Sequence, residues 1–172
     1  MDEQRREQVR ERYTYRCGYC GVHEADVGST LTIDHHRPRR HGGTDDNGNI
    51  VYCCTRCNQH KGAYWHEVHA PYIRLLHPLD DSLDLHLLEE QNGQLVGQTP
   101  EGVFYIHRLH LNRPQLIEHR LGRCADQRTL NEVNELRQQL RDLQQQMRRL
   151  HSSFQETMDE IERETIIDNS FP

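Results

Sequence analysis

The 172-residue sequence is short of apolar material: 34% of its residues are hydrophobic against 28% charged, and the mean hydropathy is -0.97. Such a chain can bury one small domain, and its remaining length must lie in elongated or peripheral structure. No apolar run approaches the ~20 residues needed to cross a bilayer, which excludes a membrane-spanning helix. The N-terminus, MDEQRREQVRER, lacks the apolar centre of an export signal. The expectation is a soluble, cytoplasmic protein with no membrane partner. Excess positive charge is missing as well, since 21 Lys and Arg face 27 Asp and Glu for a formal net charge of -6. That argues against binding nucleic acid by bulk charge but leaves room for a local basic site.

A disulfide framework is also missing. The six cysteines are Cys17, Cys20, Cys53, Cys54, Cys57 and Cys124, and the two Cys-x-x-Cys pairs among them suit metal thiolates in a reducing compartment. Cys17 with Cys20 and Cys54 with Cys57 supply the four ligands of a structural zinc site tying an N-terminal turn to a later helix. Cys53 is an alternative to Cys54, which is preferred because it alone keeps the two-residue gap to Cys57. Buried or redox-active thiols are the competing reading. Four thiolates leave zinc no open position, so reactive groups must lie elsewhere.

Residues 2–13 read as a short charged helix, followed by RCGYCG, whose glycines permit the tight turn of a metal knuckle. TLTID should be a strand, RHGGTDDNGN a loop, IVYCC a second strand, and TRCNQHKGAYWHEV a helix capped by Thr55. After Pro71 and Pro78, the stretches LDLHLL, QLVGQ and GVFYIHRLHL offer three strands, with Asn92-Gly93 as a hairpin turn. Asn112 and Pro114 mark the start of another helix.

In the last third, Val133, Leu140, Met147, Phe154 and Ile161 recur every seventh residue, and Leu136, Leu143 and Leu150 follow three after the first three of them. This a/d pattern of about four heptads predicts a helix about 40 Å long. Its stripe either folds back on the chain's own β-segment or forms a coiled coil through residues 133–161; the coiled coil is preferred, with a second copy or another protein. The expected division is 1–70 zinc module, 71–112 β-hairpin or meander, 113–166 long helix and 167–172 disordered tail, an α+β chain.

The chemistry gathers in LTIDHHRPRRHGG and just beyond the second cysteine pair. Asp34 and His35 end the first strand and Asn58 follows Cys57, so closing the zinc site brings strand end and helix start together. A carboxylate and an amide oxygen can share a hard cation such as Mg2+ or Mn2+. A neutral imidazole beside them can take a proton from water, which completes the equipment for hydrolysing a phosphodiester. Cys17/Cys20, Asp34-His35 with Pro38, Gly42-Gly43, Asn49, Cys54/Cys57-Asn58 and Lys61-Gly62 stand in this order, and on them residues 5–68 resemble the HNH endonucleases. The resemblance implies a zinc-bound ββα-metal core with His35 as general base and Asp34 and Asn58 holding the catalytic divalent ion. It also implies that Asn49 completes the catalytic set by bracing the loop and orienting the histidine. The implied products are a 3′-hydroxyl and a 5′-phosphate. Residues 70–172 resemble no named family.

Two positions depart from the pattern. His36 is often aliphatic in members with an Asp-His pair; strand alternation turns it away from the face of His35, leaving packing or a phosphate contact. His60 is a further candidate ligand of the divalent ion or a phosphate contact, although residues two apart do not share a helix face. Arg37, Arg39, Arg40, His41, Arg56 and Lys61 cluster around the motifs and can form a basic patch for a nucleic-acid backbone, with ordinary solvated charges as the alternative. The expectation is a zinc-containing, Mg2+- or Mn2+-dependent endonuclease acting on DNA, as a homodimer or with a partner protein. The competing reading is a non-catalytic zinc module that binds nucleic acid or protein and uses its coiled coil as an adaptor. A structural knuckle alone would not need the full set of Asp34, His35, Asn49 and Asn58.

Overall fold

Two short strands and the helix that follows them organise the first part of the chain. β1 (Thr32–His35) pairs antiparallel with β2 (Ile50–Cys53), in register from Thr32↔Cys53 to His35↔Ile50. All four residues of β2 are buried, the pattern of a strand covered on both faces. The computed structural model describes residues 2–66 and 74–168, with side chains through 159. The end of the helix expected over TRCNQHKGAYWHEV, Pro71, Ile161 of the heptad stripe and tail residues 169–172 therefore lie outside the described residues or side chains.

α1 (Glu3–Arg12) starts where the carboxylate of Asp2 accepts from the Arg5 amide at 2.7 Å. Only Val9 of this helix is buried, so arginines rather than an apolar face hold it in place. Arg5 and Arg12 donate to the backbone carbonyls of Asp45 and Asn47, and Arg10 pairs with Glu24 at 2.7 Å. Glu24 opens α2 (Glu24–Val27) and also accepts from the hydroxyl of Tyr52 on β2 at 2.6 Å. The hydrogen bond from Arg10, then that from Tyr52, holds its carboxyl below the usual range.

α3 (Thr55–Lys61) begins immediately after β2. Its cap is Cys54, whose sulfur accepts from the Cys57 amide, and Thr55 is the first helical residue rather than the cap. The helix stops at Gly62, where φ is +56°, a backbone region that favours glycine, so the helix expected over TRCNQHKGAYWHEV is cut short and residues 63–66 are not helical.

Residues after 74 complete the same core. Leu75, Leu76, Tyr105, Leu109, Leu111 and Leu116 share one buried cluster with Val9, Tyr13, Cys17, Tyr19 and β2. Full burial of Leu76, Leu109 and Leu111 contributes about 1.5–3 kcal/mol for each side chain. The hairpin is present, but the strand expected over LDLHLL is not: Leu83–His86 form a single helical turn, α4, and only Leu87 and Leu88 of that stretch enter β3 (Leu87–Glu89), which pairs with β4 (Leu95–Gly97). The third expected strand is also absent. GVFYIHRLHL lies largely in helix α5 (Pro100–Arg108), because Thr99 caps the Gly102 amide at 3.1 Å and Pro100 occupies the first turn. Its apolar residues satisfy the helical period instead, burying Gly102 and Tyr105 within the helix and Leu109 just after it.

α6 (Pro114–Asp168) begins at the predicted proline. Asn112 does not cap it; its side-chain amide pairs with both backbone groups of Leu95 at 2.8 Å. The chain divides into two compact units, Met1–Arg123 and Cys124–Pro172. In the second, Val133, Leu136, Leu140, Leu143, Met147, Leu150 and Phe154 are between 36% and 71% exposed. The architecture is thus mixed α and β, with small antiparallel sheets and a long C-terminal helix. Among the described residues, no helix is long and apolar enough to cross a membrane.

Candidate metal centre and HNH site

Cys17, Cys20, Cys54 and Cys57 bring four sulfurs within 4.8 Å of one another. A tetrahedron with Zn–S bonds of about 2.3 Å has edges of about 3.8 Å, and the Cys20 and Cys54 sulfurs are 3.8 Å apart. The set fits zinc. Its fourth member is Cys54 and not Cys53, which is outside the four-sulfur set and whose thiol is pushed up by burial. Arg113, just before α6, lies 3.5 Å from the Cys57 sulfur and 3.8 Å from that of Cys54. Its positive charge favours thiolates over thiols there. Among the described residues the six cysteines form no disulfide.

The loop between β1 and β2 is closed by Asn49. Its side-chain oxygen accepts from the Arg37 amide at 2.7 Å, and its side-chain nitrogen donates to the carbonyls of Arg37 at 3.0 Å and Thr44 at 2.7 Å. Its own carbonyl accepts from the His36 amide at 2.8 Å. Gly43 lets the strap close: a Cβ there would stand 1.8 Å from the Arg37 carbonyl oxygen.

His35, with 22% of its side chain exposed, faces this loop. Its Nε2 lies 2.6 Å from Oδ1 of Asp45, a carboxylate also gripped by Arg39. Asp34 points the other way, into the protein. Its Oδ2 accepts from the Tyr19 hydroxyl at 2.6 Å and stands 2.9 Å from Nζ of Lys61. Burial, then the Asp34 charge, pushes the Tyr19 phenol up, so it remains a donor. Lys61 also donates to the His35 carbonyl at 2.8 Å. Asn58 and Lys61 are three apart on α3 and share a side of that helix, and of the two it is Lys61 that contacts Asp34.

His36 is buried edge-on against His77, with ring centroids 4.7 Å apart, and against Trp65. Burial first, then His77 and Lys61, brings its imidazole down to about 3. It stays neutral. His60 stacks on His110 at 4.3 Å, so the structure turns it to that ring rather than to Asp34.

The basic residues separate into two groups. Lys61 has no exposed surface, which corrects its expected role as a nucleic-acid contact: its ammonium is consumed by Asp34 and the His35 carbonyl. Arg37 is drawn into the loop, donating to the His41 carbonyl at 2.6 Å and lying over the Trp65 ring. Arg39, Arg40 and Arg56 are exposed. Asp45, Tyr19 and Arg113 were not singled out by sequence. Asp45 carried no distinguishing signal in TDDNGN, where one loop aspartate reads like its neighbour.

Residues 17–63 match the family model described as HNH endonuclease. Over these residues the chain is similar to an HNH domain. The match runs from the first zinc cysteine through β1, the Asn49 loop and β2 to the end of α3. It supports a nuclease or nucleic-acid-related function. No curated protein and no solved structure matched the chain.

Proposed function

We propose that the protein is a metal-dependent endonuclease that hydrolyses phosphodiester bonds in DNA, with His35 as its general base. The observation that carries this reading is the HNH match over 17–63 centred on a partly exposed His35 beside the Asn49-braced loop. The imidazole takes a proton from water as the oxygen attacks phosphorus, and the bond to the 3′-oxygen breaks, giving a 3′-hydroxyl and a 5′-phosphate. Asn49 acts through the backbone by holding the loop. The exposed guanidiniums of Arg40 and Arg56 are suited to phosphate oxygens, while that of Arg39 is engaged by Asp45.

Asp34 and Asn58 would hold the catalytic divalent ion. Their donor set, a carboxylate and an amide oxygen, suits Mg2+ or Mn2+, and among the described residues Tyr19 and Lys61 both contact Asp34 at Oδ2. When bound, the ion supplies positive charge for the leaving 3′-oxygen. The four-cysteine cluster would hold zinc without taking part in chemistry. Residues 133–161 would assemble the protein through a coiled coil, with a second copy of the chain as the proposed partner.

The test is cleavage of supercoiled plasmid, linear duplex, single-stranded DNA and RNA, with and without Mn2+, by wild type and His35→Ala. Nicking or cutting of DNA by wild type alone, at equal zinc content, is expected. Wild-type rates from His35→Ala, or RNA as the only substrate, would overturn the reading.

A further inference from the structure

We propose that Asp45 is the positioning residue of the general base: it fixes the His35 tautomer with its hydrogen on Nε2, leaving Nδ1 to take the proton from water. This rests on His35 acting as the base of a nuclease. A neutral imidazole has one N–H and one lone pair, and the partner of one nitrogen decides which is which. The partner here is a carboxylate at 2.6 Å. The hydrogen bond from His35, then that from Arg39, holds the Asp45 carboxyl down to about 2, so at neutral pH it only accepts. The hydrogen between them belongs to Nε2.

Arg39 offers a competing donor, since its Nε lies 3.3 Å from the same ring nitrogen. That Nε is also 3.2 Å from Oδ1 of Asp45, and Nη2 of Arg39 reaches the two carboxylate oxygens at 2.7 and 2.8 Å. The short charge-assisted contacts set the arrangement: Arg39 holds Asp45, and Asp45 holds His35. The backbone that carries the carboxylate is anchored as well. The Asp45 carbonyl accepts from Arg5 of α1, and the Thr44 carbonyl from Asn49. Asp46, next in sequence, is bonded to the Thr44 hydroxyl at 2.7 Å and is not its substitute. During hydrolysis the proton from water goes to Nδ1, and the electron pair of the broken P–O bond goes to the 3′-oxygen, which is protonated by solvent. Asp45 remains ionised and stabilises the imidazolium.

The full zinc-loaded chain is used for the test. Asp45→Asn should lower kcat on DNA by about 100-fold or more while changing KM by less than about threefold. Zinc content and thermal midpoint should be unchanged, and Asp45→Glu should recover part of the rate. Imidazole nitrogen NMR of the wild type above neutral pH should report His35 with hydrogen on Nε2, and Asp45→Asn should alter that signature. Wild-type kcat in Asp45→Asn, or hydrogen on Nδ1 in wild type, overturns the proposal. If wild type cleaves no nucleic acid, the nuclease reading fails and the positioning role falls with it, while the NMR arm still decides which nitrogen Asp45 holds.

Discussion

Lys61 shows how burial reassigns a residue. Its ammonium, with no exposed surface, stands 2.9 Å from Asp34 and donates to the carbonyl of His35, so it couples α3 to the backbone of the proposed base. Removing one member of such a pair leaves the other charge buried and uncompensated, which typically costs about 3–5 kcal/mol, whereas replacing both with apolar groups is often neutral. Lys61→Met should therefore show a loss of that size in urea denaturation, and Lys61→Met with Asp34→Leu should regain most of it. Strictly additive losses would show that the two side chains are not coupled. In the sequence Lys61 belonged to a run of cations, and lysine is almost always exposed. Nothing in a Lys-Gly dipeptide turns an ammonium inward. Strand alternation, used to set His36 apart from His35, equally sets Asp34 apart from His35. The side facing Asp34 became apparent only from its contacts with Tyr19 and Lys61.

Short elements with strong local signals were legible, and those decided by a cap against composition were not. β1 follows its alternation and the turn between β3 and β4 its Asn92-Gly93 pair, whereas LDLHLL turns out mostly helical and α5 reads as a strand until Thr99 and Pro100 are taken as a helix start instead of a loop. The cysteine pairs were the most legible feature because spacing alone fixes two ligands on each knuckle. What spacing did not tell is how much structure leans on them. Cys17 follows α1, Cys20 follows within its turn, Cys54 and Cys57 open α3, and Arg113 reaches the sulfurs from the start of α6. Zinc should therefore join the two ends of the first unit's chain path. We expect about one zinc per chain in purified protein and none in Cys57→Ser. Stripping the metal with a strong chelator should lower the thermal midpoint followed by circular dichroism, and adding zinc back should restore it. An unchanged midpoint in metal-free protein would rule out a structural role.

The heptad stripe concerns the whole molecule, because a helix with Leu136, Leu140, Leu143, Met147 and Leu150 all exposed gains its stability from packing that face against something. A second copy satisfies the pattern without further assumptions. In a parallel pair the g residue Glu132 meets the e residue Arg137 of the other chain, an attractive contact, while Gln139 and Gln144 are neutral. Light scattering over a dilution series should give a dimer for wild type and a monomer for Leu140→Asp with Leu143→Asp, with zinc content equal in both. Direction is read separately: Leu136→Cys lies at a d position, so oxidation should join two chains through it only if the helices run parallel and in register. A strict monomer at high concentration would exclude self-pairing. A dimer that Leu136→Cys does not crosslink would keep the pair but reverse its direction.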